Sequence, residues 1–133
     1  NFSADALTKV ISELPKSYDV VILDLPGSLS QPLSMALSVA QLVVVPVRNN
    51  LHSLRGYLQI KSVSTGVEVK ALAIGENSLI AAAELIDEPL LESNELEAAA
   101  ATKISILTHD KASESAESFR NVGYSILEKL GLE

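Results

Sequence analysis

The sequence predicts an α/β domain: a mainly parallel sheet with helices on both faces, arranged in three layers. Three observations carry this expectation. First, Val20-Val21-Ile22-Leu23, Leu42-Val43-Val44-Val45 and the run Val69 to Ile74 are apolar with little alternation, the pattern of strands buried on both faces. Second, the segments between them carry apolar residues at helical spacing, so strand and helix alternate along the chain. Third, each apolar run ends in polar or turn-forming residues: Asp24-Leu25-Pro26-Gly27, Arg48-Asn49-Asn50 and Gly75-Glu76-Asn77-Ser78. In open α/β sheets ligands bind beyond the carboxyl ends of the strands, so these are the places to look for a site.

The elements follow in order. Ser3 is the expected N-cap of a first helix whose apolar face is Leu7, Val10, Ile11 and Leu14, and Pro15 ends it. The next stretch, Tyr18 to Leu23, is expected as a strand that delivers Asp24 at its end. Ser30 caps a second helix, with Pro32 tolerated in the first turn and Leu33, Ala36, Leu37 and Ala40 facing one way. Leu42 to Val47 is the second strand, with Pro46 near its end, where a missing N–H is tolerable. A third helix is expected from Leu51 to Val63, weakened by Gly56.

Val69 to Ile74 is the third strand, followed by a short helix over Leu79 to Ile86. Glu92 to Ala101 reads as a helix capped by Ser93, with Glu95 and Glu97 complementing the dipole of its first turn. Ile104 to Leu107 reads as a fourth, short strand. Ser113 or Asp110 caps a last helix carrying Ala116, Phe119 and Val122. Gly123 is expected to interrupt it before a helical tail over Tyr124 to Leu130.

Composition bounds the function. The 133 residues suit one domain, 1–133, and 47% hydrophobic content excludes a disordered chain. No apolar run reaches the roughly 20 residues of a membrane span. With no cysteine there is neither a disulfide nor a thiolate metal site, which fits a cytoplasmic setting. A net charge of −7, with no basic run, argues against nucleic acid or an anionic membrane as a direct partner, so membrane contact is expected only indirectly. His52 reads as an exposed helix residue, and no His, Cys or paired acid has transition-metal spacing. The chain starts at Asn1 rather than Met and reads as a fragment of a longer protein.

The candidate site residues are the polar groups at strand ends: Asp24, Arg48, Asn49, Asn77, His109 and Asp110. They define a small-ligand crevice if the strands bring them together, and ordinary loop chemistry if they do not. Four apolar residues followed by Asp24 also describe a Walker B strand, whose carboxylate holds Mg²⁺ near nucleotide phosphates. Equally, Asp is a common loop starter and helix cap.

Taken together, "YDVVILDLP", "ALSVAQLVVVPVRNNLHSLRGYLQI" and "VKALAIGEN" resemble the later part of the MinD/ParA group of deviant-Walker P-loop ATPases. The tail "NELEAAAATKISILTHDKASESAESF" resembles that group's closing segment, and the Asp24-Leu25-Pro26 form leans toward the TadZ/CpaE branch, which helps place Flp (tight adherence) pilus assembly systems. The resemblance implies that Asp24 is the Walker B acid reaching Mg²⁺ through water, and that Pro26 shapes the switch-like loop. It implies that Asn77 reads the adenine edge and that Asp110 lies near the base; no catalytic residue is assigned within this chain.

The resemblance further implies ATP and Mg²⁺ as cofactors of the parent, nucleotide-gated homodimerisation, and pilus or secretion machinery proteins as partners. The sequence departs from the pattern in three places. No G-x-x-x-x-G-K-[ST] loop occurs, so the Walker A half is absent and this chain alone is not expected to bind ATP tightly. Gln41 stands where the family has Asp, and Thr108 where the closing segment has Pro. The alternative is therefore a non-catalytic interaction domain with a degenerate nucleotide site. A receiver-like or flavodoxin-like module lacks its acid pair or phosphate loop and is disfavoured.

Overall fold

The computed structural model describes residues 3–132. Asn1, whose place at the start was read above as the mark of a fragment, lies outside them, as do Phe2 and Glu133. Helix α1 (Ala4–Ser12) starts at Ser3, whose hydroxyl accepts the Ala6 N–H at 3.2 Å. None of its residues is buried, and it packs against α2 (Gln31–Leu37). Strand β1 (Leu42–Val47), helix α3 (Leu51–Val63) and strand β2 (Glu68–Ala73) form a right-sized βαβ unit with the strands parallel, Leu42 opposite Glu68 and Val47 opposite Ala73. A 3₁₀ turn, Ala82–Glu84, leads to α4 (Asn94–Thr102), α5 (Ile106–His109) and α6 (Glu114–Lys129).

The two-stranded sheet buries side chains on both faces, as alternation along a strand requires. Val45, Val47 and Ala71 pack with Leu54 and Tyr57 of α3 and with Ile80. Val44 and Leu72 point the other way, into Ile86, Leu90 and the α6 residues Val122 and Ile126. A third cluster, Ala99, Ile106, Ala116, Leu96 and Phe119, joins the last three helices. The chain is thus α/β with a small parallel sheet and helices.

Four expectations are corrected. Tyr18 to Leu23 forms no strand: Asp19 to Gly27 carries no sheet pairing, and Ile22 is 86% exposed. A parallel strand draws its backbone bonds from neighbours, and among the described residues none lies alongside. Leu79 to Ile86 is not a helix. Only Ala82–Glu84 turns, and then Ile86 N–H donates to the Ala71 carbonyl at 2.8 Å, so this segment edges β2 instead. Ile104 to Leu107 is not a strand. Lys103 ends α4 in the left-handed region (φ 58°), and the Ser105 hydroxyl accepts the Leu107 N–H at 3.2 Å, capping α5. Gly123 does not interrupt α6, which runs unbroken through it.

Candidate functional site

The loops after β1 and β2 are tied to each other by side-chain amides. Asn50 caps α3 by accepting the Ser53 N–H at 2.8 Å. Its neighbour Asn49 accepts the Ser78 N–H at 3.1 Å and the Ser78 hydroxyl at 3.4 Å across the two loops. Asn77 folds the second loop from within, its Oδ1 accepting the N–H groups of Leu79 at 3.0 Å and Ile80 at 3.1 Å. That is the turn-forming use of Asn. The other half of the same amide, Nδ2, is buried and, among the described residues, has no hydrogen-bond partner. A buried donor without an acceptor is costly, so Asn77 presents an unused hydrogen-bonding group.

Arg48 leaves the end of β1 and grips Glu92 with two parallel bonds, Nη1 to Oε2 at 2.8 Å and Nη2 to Oε1 at 2.6 Å. The hydrogen bonds from Arg48 hold the Glu92 carboxyl below the usual carboxylate range, and the same bonds raise Arg48. Glu92 in turn lines a depression of about 650 Å³ with Ser93, Glu95, Asp110, Ser113 and Glu114. Asp110 follows α5, and its carbonyl accepts the Ser113 N–H at 3.1 Å. Ser113, not Asp110, caps α6, taking the Ala116 N–H at 3.1 Å.

Asp24 and Pro26 lie elsewhere. Both line a cleft of about 930 Å³ whose banks are the Asp19 to Gly27 segment and strand β1. Asp24 is exposed, and among the described residues nothing hydrogen-bonds its carboxylate. The structure therefore divides the sequence-predicted residues. Arg48, Asn49 and Asn77 stand around the sheet's carboxyl end, Asp110 lines the same depression as Arg48's partner Glu92, and Asp24 with Pro26 borders a separate cleft. His52 and His109 are exposed. No group of three His, Cys, Asp or Glu residues poised to hold a metal occurs among the described residues. A lone carboxylate such as Asp24 fits Mg²⁺, which keeps most of its waters and is held by one or two carboxylates plus substrate phosphates.

A family model described as the AAA domain matches residues 2–74, more than half of the chain. The chain belongs to the AAA domain family. The match runs from α1 through β2 and includes Asp24, Pro26 and Arg48. Two curated relatives are similar to it: a ParA family protein of Mycoplasma pneumoniae and the ParA family protein MG470 of Mycoplasma genitalium. Each is 27% identical over 59 residues, 44% of this chain and 22% of the relative. The chain thus spans about a fifth of the length of these relatives. No solved structure matches. The family match and both relatives support a ParA/MinD-type P-loop ATPase lineage. No described helix is long and apolar enough to cross a membrane.

The sequence did not disclose one polar network. Tyr57, 1% exposed, donates its hydroxyl to Glu84 Oε1 at 3.0 Å, and Lys61 pairs with the same oxygen. Burial first, and then the bond to Glu84, pushes the Tyr57 phenol up to about 12. Hydrogen bonds from Lys61 and then Tyr57 lower the Glu84 carboxyl. The one legible signal was Tyr57 and Lys61 four apart on a helix, which shares a face but names no partner. Glu84, 27 residues away, joins them only through the fold.

Proposed function

We propose that these residues are the C-terminal portion of a ParA/MinD-type ATPase domain that positions a bacterial assembly machine through nucleotide-gated dimerisation. The observation that supports this best is Asp24: a free, exposed carboxylate at the end of an apolar segment, on the rim of a cleft within the stretch matched to the AAA domain. In the parent, Asp24 holds the water shell of Mg²⁺ and Pro26 shapes the loop that follows. A phosphate loop outside this chain supplies the backbone amides and the Lys that cradle ATP.

Asn77 spends its Oδ1 on the turn, and its Nδ2 is buried, so reading the edge of a base would require this loop to open in the parent. The parent's full sheet is covered by helices on both faces, as α3 and α6 cover the two strands here. The Asp24-Leu25-Pro26 form supports the pilus-positioning branch, with pilus or secretion proteins as partners and a cytoplasmic setting in which membrane contact is indirect.

Sedimentation and calorimetry with Mg·ATP test this reading. The parent binds ATP and shifts from monomer to dimer, while the 133-residue chain shows neither. A parent that binds no nucleotide would contradict it and favour a non-catalytic interaction domain.

A further inference from the structure

The loop that follows β2 is fastened very differently at its two ends. Its far end is a foot set in the core. Ile80, 8% exposed, packs on Val47, Tyr57 and Ala71. Glu84 takes the Tyr57 hydroxyl at 3.0 Å and pairs with Lys61, and the Ala83 carbonyl takes Lys70 Nζ at 2.6 Å. Ile86 N–H then joins the Ala71 carbonyl at 2.8 Å. Moving this end means opening an apolar cluster to water.

The near end is lighter. Gly75 N–H joins the Leu90 carbonyl at 2.8 Å, and Gly75 lies in the left-handed region (φ 75°), which glycine enters without strain. Beyond it Glu76, Ser78 and Leu79 are exposed. Asn49 ties this tip to the loop after β1, its Oδ1 accepting the Ser78 N–H at 3.1 Å and the Ser78 hydroxyl at 3.4 Å. Asn49 is a fixed post, because Arg48 before it is forked to Glu92 and Asn50 after it caps α3. The ties from Ser78 are at the surface, where water competes for both partners, so they hold the tip weakly. Inside the tip, Asn77 Oδ1 accepts the Leu79 and Ile80 N–H groups, while Nδ2 is buried and, among the described residues, unpartnered. That orphaned donor disfavours the closed position, because water satisfies it once the tip lifts.

We propose that residues 76–79 form a flap that swings between Gly75 and the foot at residues 80–84, and that Asn49 is the catch that holds it shut. Lifting the flap breaks the bonds from Ser78 to Asn49. It also frees both halves of the Asn77 amide, a paired donor and acceptor, at the sheet's carboxyl end. What the flap gates rests on the ATPase reading above. The base of the nucleotide meets the Asn77 amide only when the flap is open, so the closed population lowers the apparent affinity for ATP. Asn49 is thereby a positioning residue: it sets the open fraction through Ser78.

Residue-resolved amide exchange on the 133-residue chain and its Asn49→Ala variant tests the flap without nucleotide. In the wild type, the Ser78, Leu79 and Ile80 amides exchange faster than those of Ile86 and Leu90, which bond to β2. Asn49→Ala speeds Leu79 and Ile80 by about 5-fold, the scale of one lost hydrogen bond, and leaves Ile86 and Leu90 unchanged. A gain confined to Ser78 would overturn the proposal, since the tip then does not move as a unit. An equal gain at Ile86 and Leu90 would overturn it too, since the foot then moves with the tip. Calorimetry of the parent with Mg·ATP reads the gate: Asn49→Ala binds ATP tighter by about the same 5-fold. The two readings fail separately. A parent that binds no ATP, beside accelerated Leu79 and Ile80 in the chain, removes the nucleotide and leaves the flap. ATP bound equally or more weakly by the variant removes the gate and leaves the ATPase reading.

Discussion

Arg48 and Glu92, 44 residues apart, face each other so that each of the two Nη nitrogens meets one carboxylate oxygen, at 2.8 and 2.6 Å. The pair fastens the end of β1 to the segment that enters α4. Both side chains are more than half exposed, at 54% and 56%, so solvent screens the attraction. Lys in place of Arg48 keeps the charge and loses the fork. Arg48→Lys is expected to lower the melting temperature slightly in low salt, and the difference is expected to vanish in high salt. Melting curves at the two ionic strengths check this, and a large, salt-independent drop would mean the fork does more than fasten two loops.

Tyr57 and Glu84 set the pH limits. The Tyr57 phenol is raised from 10.0 to about 12, so the folded state favours its neutral form. Its contribution to stability is complete below pH 10 and is lost as pH rises from 10 toward 12. Glu84 is lowered from 4.5, so its contribution is complete above pH 4.5 and is lost as pH falls through its depressed value. Tyr57→Phe is expected to cost about 1 kcal/mol at neutral pH, one hydrogen bond, and to flatten the alkaline limb. Glu84→Gln should flatten the acid limb and leave the alkaline limb largely in place. Chemical denaturation from pH 3 to 11 measures both.

Ser105 tests the correction at residues 104–107. Its hydroxyl caps the short helix α5, whose Ile106 is buried at 5% exposure against Ala99 and Ala116. Ser105→Ala is expected to destabilise by about 1 kcal/mol, the ordinary cost of a lost N-cap. Unchanged stability would show that burial of Ile106 alone holds this turn.

What the sequence showed, and what it did not, follows from the range of the forces involved. The caps Ser3, Ser30, Ser93 and Ser113 act within three residues and were legible, as were β1, α3 and β2, whose βαβ unit closes on itself. The errors fell where a non-local partner decides. Val20 to Leu23 has the composition of a strand but, among the described residues, no neighbour to pair with. Leu85 and Ile86 were drawn out of a helix by the free edge of β2. Ile104-Ser105-Ile106-Leu107 is apolar enough for a strand, yet Ser105 in its midst is a better cap than strand residue. At the site, Asn77 was legible as a turn former, but its orphaned Nδ2 was not, because burial of one amide atom depends on the whole loop.

The central claim is that Asp24 belongs to a nucleotide site completed by the parent. The direct measurement is Mg²⁺-dependent ATP turnover by the parent and its Asp24→Asn variant, with a melting curve on each. Asn is nearly isosteric, so the fold should persist, with a stability change of about 1 kcal/mol or less. The account predicts a loss of turnover by orders of magnitude, because a neutral amide cannot hold the metal's water shell. Turnover equal to wild type in a folded Asp24→Asn parent would contradict it.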